Sequence, residues 1–212
     1  MVSMETQISR LMNKDVKIRR RAVRHLFEED DPMALKGFIP LLKDKDFWFK
    51  NKSLDAHRRW ADSPDDLLPL MDDNQRTAGE LLEKVDAPEI AMKLLESDDY
   101  ITRAFAARSL GNDVQLHEKF ASDTHHSIRI IAANNSDDVK LISSLINDPH
   151  SSVRRSAIAT ASRNGLILDQ DTLEKGLSSS DPGLRSLIAS LAVITGGGML
   201  EKACKDSNPK VR

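Results

Sequence analysis

Asp148-Pro149-His150-Ser151-Ser152-Val153-Arg154-Arg155-Ser156-Ala157 is the stretch that decides the fold, because its ingredients recur in the same order along the chain. Asp15-Val16-Lys17-Ile18-Arg19-Arg20-Arg21-Ala22 carries the same frame: an acidic residue, then an apolar one, Arg, two free positions and a small residue. Asp181-Pro182-Gly183-Leu184-Arg185 and Asp206-Ser207-Asn208-Pro209-Lys210-Val211-Arg212 share its opening. Weaker copies run through Ser127-Ile128-Arg129 to Ala132 and through Asp99, Thr102 and Arg103 to Ala106. Degenerate ones surround Asp46, Phe49 and Lys50, and Asp72, Gln75 and Arg76. The basic marks fall at 19, 50, 76, 103, 129, 154, 185 and 212, with spacings of 25 to 31. Such a period holds two helices of roughly 8–14 residues and two tight turns.

Each copy has a local physical reading. An Asp ahead of a helix caps orphan N–H groups and complements the helix dipole. Pro directly after it, as in Asp148-Pro149 and Asp181-Pro182, suits the first turn, which has no use for its missing N–H. Ile18 with Ala22, and Val153 with Ala157, share a helix face, and the small member lets a neighbouring helix approach. Gly111, Asn134, Gly165 and Gly196 read as helix ends. A second apolar-periodic segment follows, as in Val139, Leu141, Ile142, Leu145 and Ile146, or in Met33, Leu35, Phe38, Ile39, Leu41 and Leu42. No hairpin this short buries its own apolar face, so neighbours must supply the core.

The frame resembles HEAT repeats, and in its shortness the HEAT-like repeats of phycobilin-lyase type. The resemblance covers essentially the whole chain. It implies an all-α fold, a right-handed α-solenoid (α-α superhelix) of about seven short HEAT-like helical hairpins. We expect about fifteen helices, the first of each repeat centred near residues 21, 54, 79, 105, 130, 157 and 188. No Pro/Gly/Ser linker divides the chain, so residues 1–212 read as one array. Met4–Met12 looks like a second-type helix lacking its partner, and the chain stops inside a repeat signature at Val211-Arg212. It therefore reads as a piece of a longer array, the alternative being a short natural C-terminus that frays.

Composition narrows the function classes. The chain has 212 residues, 40% of them hydrophobic and only 4% aromatic, with a formal charge of −2. That balance gives no general attraction to nucleic acid or anionic membrane. Charge is uneven, however: +3 over residues 1–50, −7 over 51–100, −1 over 101–150 and +3 over 151–212. Cys204 is the single cysteine, which fits a reducing cytoplasmic setting. No apolar run has membrane-span length.

Candidate chemistry is sparse. The repeated arginines read either as a phosphate-binding stripe or as a ladder in which each Arg pairs with a cap Asp of its own or a neighbouring repeat, and the accompanying Asp residues favour the ladder. His117-Glu118 and His125-His126 invite a metal reading. Yet the resemblance to deoxyhypusine hydroxylase, which binds iron through several His-Glu pairs, fails with only one such pair here. His125 instead falls where a cap belongs. Gly196-Gly197-Gly198 has no strand before it and reads as a turn. We assign no catalytic residue, no cofactor and no metal. The remaining candidate is a surface. Phe49 and Trp60 fall on the apolar stripe, whereas Trp48 lies beside it with Lys52, Arg58 and Arg59. Trp and Arg dominate interface energetics. The basic N-terminal helix adds Arg20, Arg21 and Arg24, which either steer an acidic partner or form a solvated face. The alternative is that Trp48 packs on the preceding repeat. The expected function is thus a non-catalytic protein–protein interaction scaffold. A nucleic-acid binder of the HEAT-like alkylpurine DNA glycosylase kind, or a lyase or chaperone for a bilin-carrying protein, are the alternatives.

Overall fold

The structure is a computed structural model that describes residues 3–166, 168–195 and 198–212. Among these residues the fold is all-α: fifteen α-helices, short 3₁₀ turns and no strand. The chain divides into two compact units, residues 1–109 and 110–212. Gly196 and Gly197 lie outside the described residues.

In the first unit, α1 (Met4–Arg10) precedes α2 (Val16–Glu29). The short α3 (Leu35–Phe38) sits between 3₁₀ turns at 32–34 and 39–43; Pro32 opens the first directly after the cap Asp31, and Pro40 interrupts the regular helix at the second. Then come α4 (Phe47–Trp60), α5 (Pro64–Leu67), α6 (Gln75–Leu81), α7 (Pro88–Leu94) and α8 (Tyr100–Ser109). The second unit holds α9 (His117–Ala121), α10 (His126–Asn135), α11 (Val139–Ile146), α12 (Ser151–Arg163), α13 (Gln170–Leu177), α14 (Pro182–Thr195) and α15 (Gly198–Cys204). The even-numbered helices are the first helices of the repeats, and they lie where the sequence places them. Within a unit they pack on one another, α4 with α6 and α6 with α8, then α10 with α12 and α12 with α14. The second helices form the other layer, α1 beside α3, α9 beside α11 and α13 beside α15.

The caps explain the register. Asp15 and Asp46 accept the N–H two residues on. Asp99 accepts from Ile101 and Thr102, and Asp181 from Gly183. His125 caps α10 as its position suggests, with Nδ1 accepting the Ser127 N–H. His150 does the same for α12. Asp148 is therefore not the cap, and Pro149 precedes the helix. Asn74 precedes α6 without a side-chain cap bond.

Counting from these caps aligns the core. Three residues on stand Phe49, Thr77, Thr102, Ile128, Val153 and Leu184, all buried; Ile18 is half-buried. Seven residues on stand Ala22, Ser53, Leu81, Ala106, Ala132, Ala157 and Ile188, all buried. Ser53 keeps its hydroxyl satisfied by donating to the Phe38 carbonyl at 2.7 Å. Ile188 is large for a slot that Ala fills elsewhere, and Gly176 on α13 makes the room: a Cβ there would stand 2.5 Å from Ile188 Cγ1. Helix ends differ from expectation at Asn134, which lies inside α10; Ser136 ends that helix. Gly165 does close α12, with φ +64°.

Candidate interaction surface

Helices α2 and α4 present the surface that the sequence singled out. Trp48 is half-buried, its ring edge-on to Phe49 with centroids 4.9 Å apart. The Arg20 guanidinium lies over its other side at 5.3 Å and reaches Asp46 at 3.8 Å. Phe47, at the first helical position and off the core face, is 77% exposed. One turn along, Lys52 pairs with Asp55 at 2.8 Å, and its ammonium stands 5.7 Å from the Phe27 ring. Arg59 flanks the same ring at 5.7 Å and bonds Asp30 at 2.6 Å. Phe27 itself rests against Trp60 and Phe38, at 4.9 and 5.4 Å, so the patch is anchored in the core.

Asp30 organises this end of α2. It caps the helix in the left-handed conformation, φ +53°, and accepts from Trp60 Nε1 at 2.8 Å. Hydrogen bonds from Arg59 and then Trp60 hold its carboxyl below the usual range. Arg58 points to α6 instead, bonding Glu80 at 3.0 Å and Thr77 at 3.3 Å. Arg21 and Arg24 are exposed and, among the described residues, make no ion pair. The structure thus gathers Arg20, Trp48, Lys52 and Arg59, turns Arg58 aside and leaves Arg21 and Arg24 to solvent. Phe47 stands out in the sequence as part of the aromatic run Phe47-Trp48-Phe49 without being singled out for the surface, and Phe27 was missed. The signal for Phe27 was its place seven residues after Arg20, on one helix face.

The arginine ladder is real, but its rungs differ from the expected ones. In three rungs an Arg four residues after a cap binds an Asp two residues before the next repeat's cap. Arg19 pairs with Asp44, Arg129 with Asp148 at 2.7 and 2.9 Å, and Arg185 with Asp206 at 2.7 and 3.1 Å. Arg76 lies two residues after its cap and bonds Asp99 with two 3.0 Å contacts. The position four after that cap is Ala78. Burial raises the Asp148 carboxyl, but hydrogen bonds from Arg129 and the His150 N–H outweigh it and leave it below the usual range.

The histidines have structural settings. His117 is buried and bonds the Gly111 carbonyl through Nε2 at 2.8 Å. His126 stacks on His150 with centroids 3.7 Å apart. Among the described residues no three His, Cys, Asp or Glu are grouped to hold a metal, and no helix is long and apolar enough to cross a membrane.

No family model matches the chain, and no curated protein matches it in sequence. Solved structures do. The crystal structure of an engineered protein aligns over 98% of this chain and 75% of its own, at 18% identity and a TM-score of 0.50. This chain thus has a helical-repeat fold. The complex of CpcE and CpcF of phycocyanin lyase from Nostoc sp. PCC7120 aligns over 98% of this chain and 82% of its own, with 17% identity and a TM-score of 0.31. A designed armadillo repeat protein in complex with a (KR)4 peptide covers 99% and 95%, with 13% identity and a TM-score of 0.28. The first likeness shows fold alone, and the other two are too slight to carry an argument.

Proposed function

We propose that the chain is a non-catalytic protein–protein interaction scaffold of HEAT-like repeats, acting in the cytosol, and that the α2–α4 face docks an acidic segment of its partner. The observation that carries this reading is a pair of neighbouring aromatics opening α4, Phe47 77% exposed and Trp48 half-buried with the Arg20 guanidinium 5.3 Å from its ring. An exposed aromatic beside arginines is the usual composition of an interface anchor. Arg21 and Arg24, exposed and without an ion pair among the described residues, add positive charge that speeds encounter with an acidic segment. The single cysteine, Cys204, supports the cytosolic part of the reading.

Nucleic acid fits less well. Lys52, Arg58 and Arg59 each already face a carboxylate, and a phosphate would have to compete with it. A screen of acidic peptides against the intact chain, run beside a double-stranded oligonucleotide at several salt concentrations, separates the two. The proposal expects selected acidic peptides to bind and the oligonucleotide to bind weakly. Oligonucleotide binding that falls steeply with salt, with no peptide bound, would replace it with the nucleic-acid reading.

A further inference from the structure

One rung of the ladder has kept its arginine and lost its acid. Where Arg129 meets Asp148 and Arg185 meets Asp206, Arg154 has Ser179 at the matching position, two residues before the cap Asp181. The loss is not shared, as it is three repeat pairs earlier: there Ala78 and Ser97 hold the two positions, so arginine and acid are both gone. Asp181 does not compensate, because its carboxylate stands 3.3 Å from Arg155.

The orientation of Arg154 is nevertheless that of a paired rung. Its Nη1 donates to the Asp148 and Pro149 carbonyls at 2.7 and 2.9 Å. Arg129 makes the same two bonds, to Asp123 and Thr124 at 3.0 and 3.1 Å, while its Nε and Nη2 hold Asp148. A guanidinium is planar and rigid, so fixing Nη1 fixes the other edge. The Nε–Nη2 edge of Arg154 makes no hydrogen bond or ion pair among the described residues. Arg154, Lys175 and Ser179 line a cavity of about 180 Å³ together with the apolar Ile146, Ile158 and Leu184. That is room for several waters, each taking about 30 Å³, or for one acidic group. The Ser179 hydroxyl accepts the Asp181 N–H at 3.2 Å, which leaves its proton to donate. Lys175 adds a second positive charge at the mouth.

We propose that this cavity binds a carboxylate from outside the chain, held two-pronged by Arg154 and contacted by Ser179 and Lys175. The carboxylate belongs to a peptide or to a small dicarboxylic acid. It replaces the rung that the sequence omits. The site is in the second unit and is independent of the α2–α4 face.

The test follows the Arg154 Nε–H resonance in labelled protein while acetate, succinate, a peptide with a free C-terminal carboxylate, its C-terminal amide, or inorganic phosphate is added at constant ionic strength. Saturable shifts with the carboxylates are expected. Tighter binding of succinate or of the free-carboxylate peptide identifies the source. Followed through the Ser179 backbone amide instead, Arg154→Gln should weaken binding by about tenfold or more. Ser179→Asp should supply the rung internally, raise the melting temperature and abolish the titration. No saturable shift, saturation by phosphate alone, or a titration that survives Ser179→Asp would overturn the proposal.

Discussion

Arg129 and Asp148 lie 19 residues apart and meet through two parallel hydrogen bonds, with the side chains 13% and 5% exposed. The pair links the start of α10 to the turn before α12, so it fixes one repeat against the next. Because Asp148 also accepts the His150 N–H, removing the arginine leaves a nearly buried carboxylate short of a partner. Arg129→Ala should cost about 1–3 kcal/mol in urea unfolding. Arg76→Ala breaks a bidentate pair of similar distances, but the arginine is 55% exposed, and its melting temperature should stay near wild type. Equal effects from the two variants would contradict the role given to burial.

Much of this was legible because caps and small residues are local signals. Asp15, Asp46, Asp181 and His125 mark helix starts through their own backbone bonds, and they place the first helices closely. Which acid meets which arginine was not legible. Asp44 and Asp46 both precede α4, and only the three-dimensional turn shows that the earlier one reaches Arg19 while the later one caps. Asp148-Pro149 misled for the same reason. Arg76 fitted the period by count, though it sits two residues out of register. On the candidate surface, Trp48 was found from its place beside the apolar stripe. Asp30 was invisible, since a left-handed Asp at a helix end has no sequence mark as strong as Gly.

The fit of Gly176 against Ile188 gives a packing test. Gly176→Ala places a methyl 2.5 Å from Ile188 Cγ1 and should cost about 1–3 kcal/mol. Ile188→Ala opens the same space. The double variant should be more stable than the two separate losses imply, by about 0.5 kcal/mol or more in a double-mutant cycle. Strict additivity would show that the two residues do not press on each other.

The buried His57 predicts a pH dependence. Burial pushes its pKa below the ordinary 6.5, against the bond from its ring to the Ser53 carbonyl at 2.8 Å. The unfolded chain therefore takes up the proton first, and stability is lost as pH falls through about 6.5. His150 is shifted the same way, by burial and then by His126, and its cap bond needs an unprotonated Nδ1. Melting temperatures should fall between about pH 7 and pH 5, in a window above that of the paired aspartates. His57→Gln should flatten part of that fall, and His150→Ser, which keeps a capping side chain, a further part. An unchanged slope in both variants would rule out these two groups.

The proposed partner surface is tested most directly by titrating an acidic peptide selected on the intact chain against Trp48→Ala, with the melting temperature read on the same samples. Trp48 is half-buried on the edge of the core, so its removal should leave the far-UV CD spectrum and melting temperature close to wild type. Binding should weaken by about 1–3 kcal/mol. A melting temperature lowered by several degrees with peptide affinity unchanged would make Trp48 a structural residue and contradict the α2–α4 face as the docking surface.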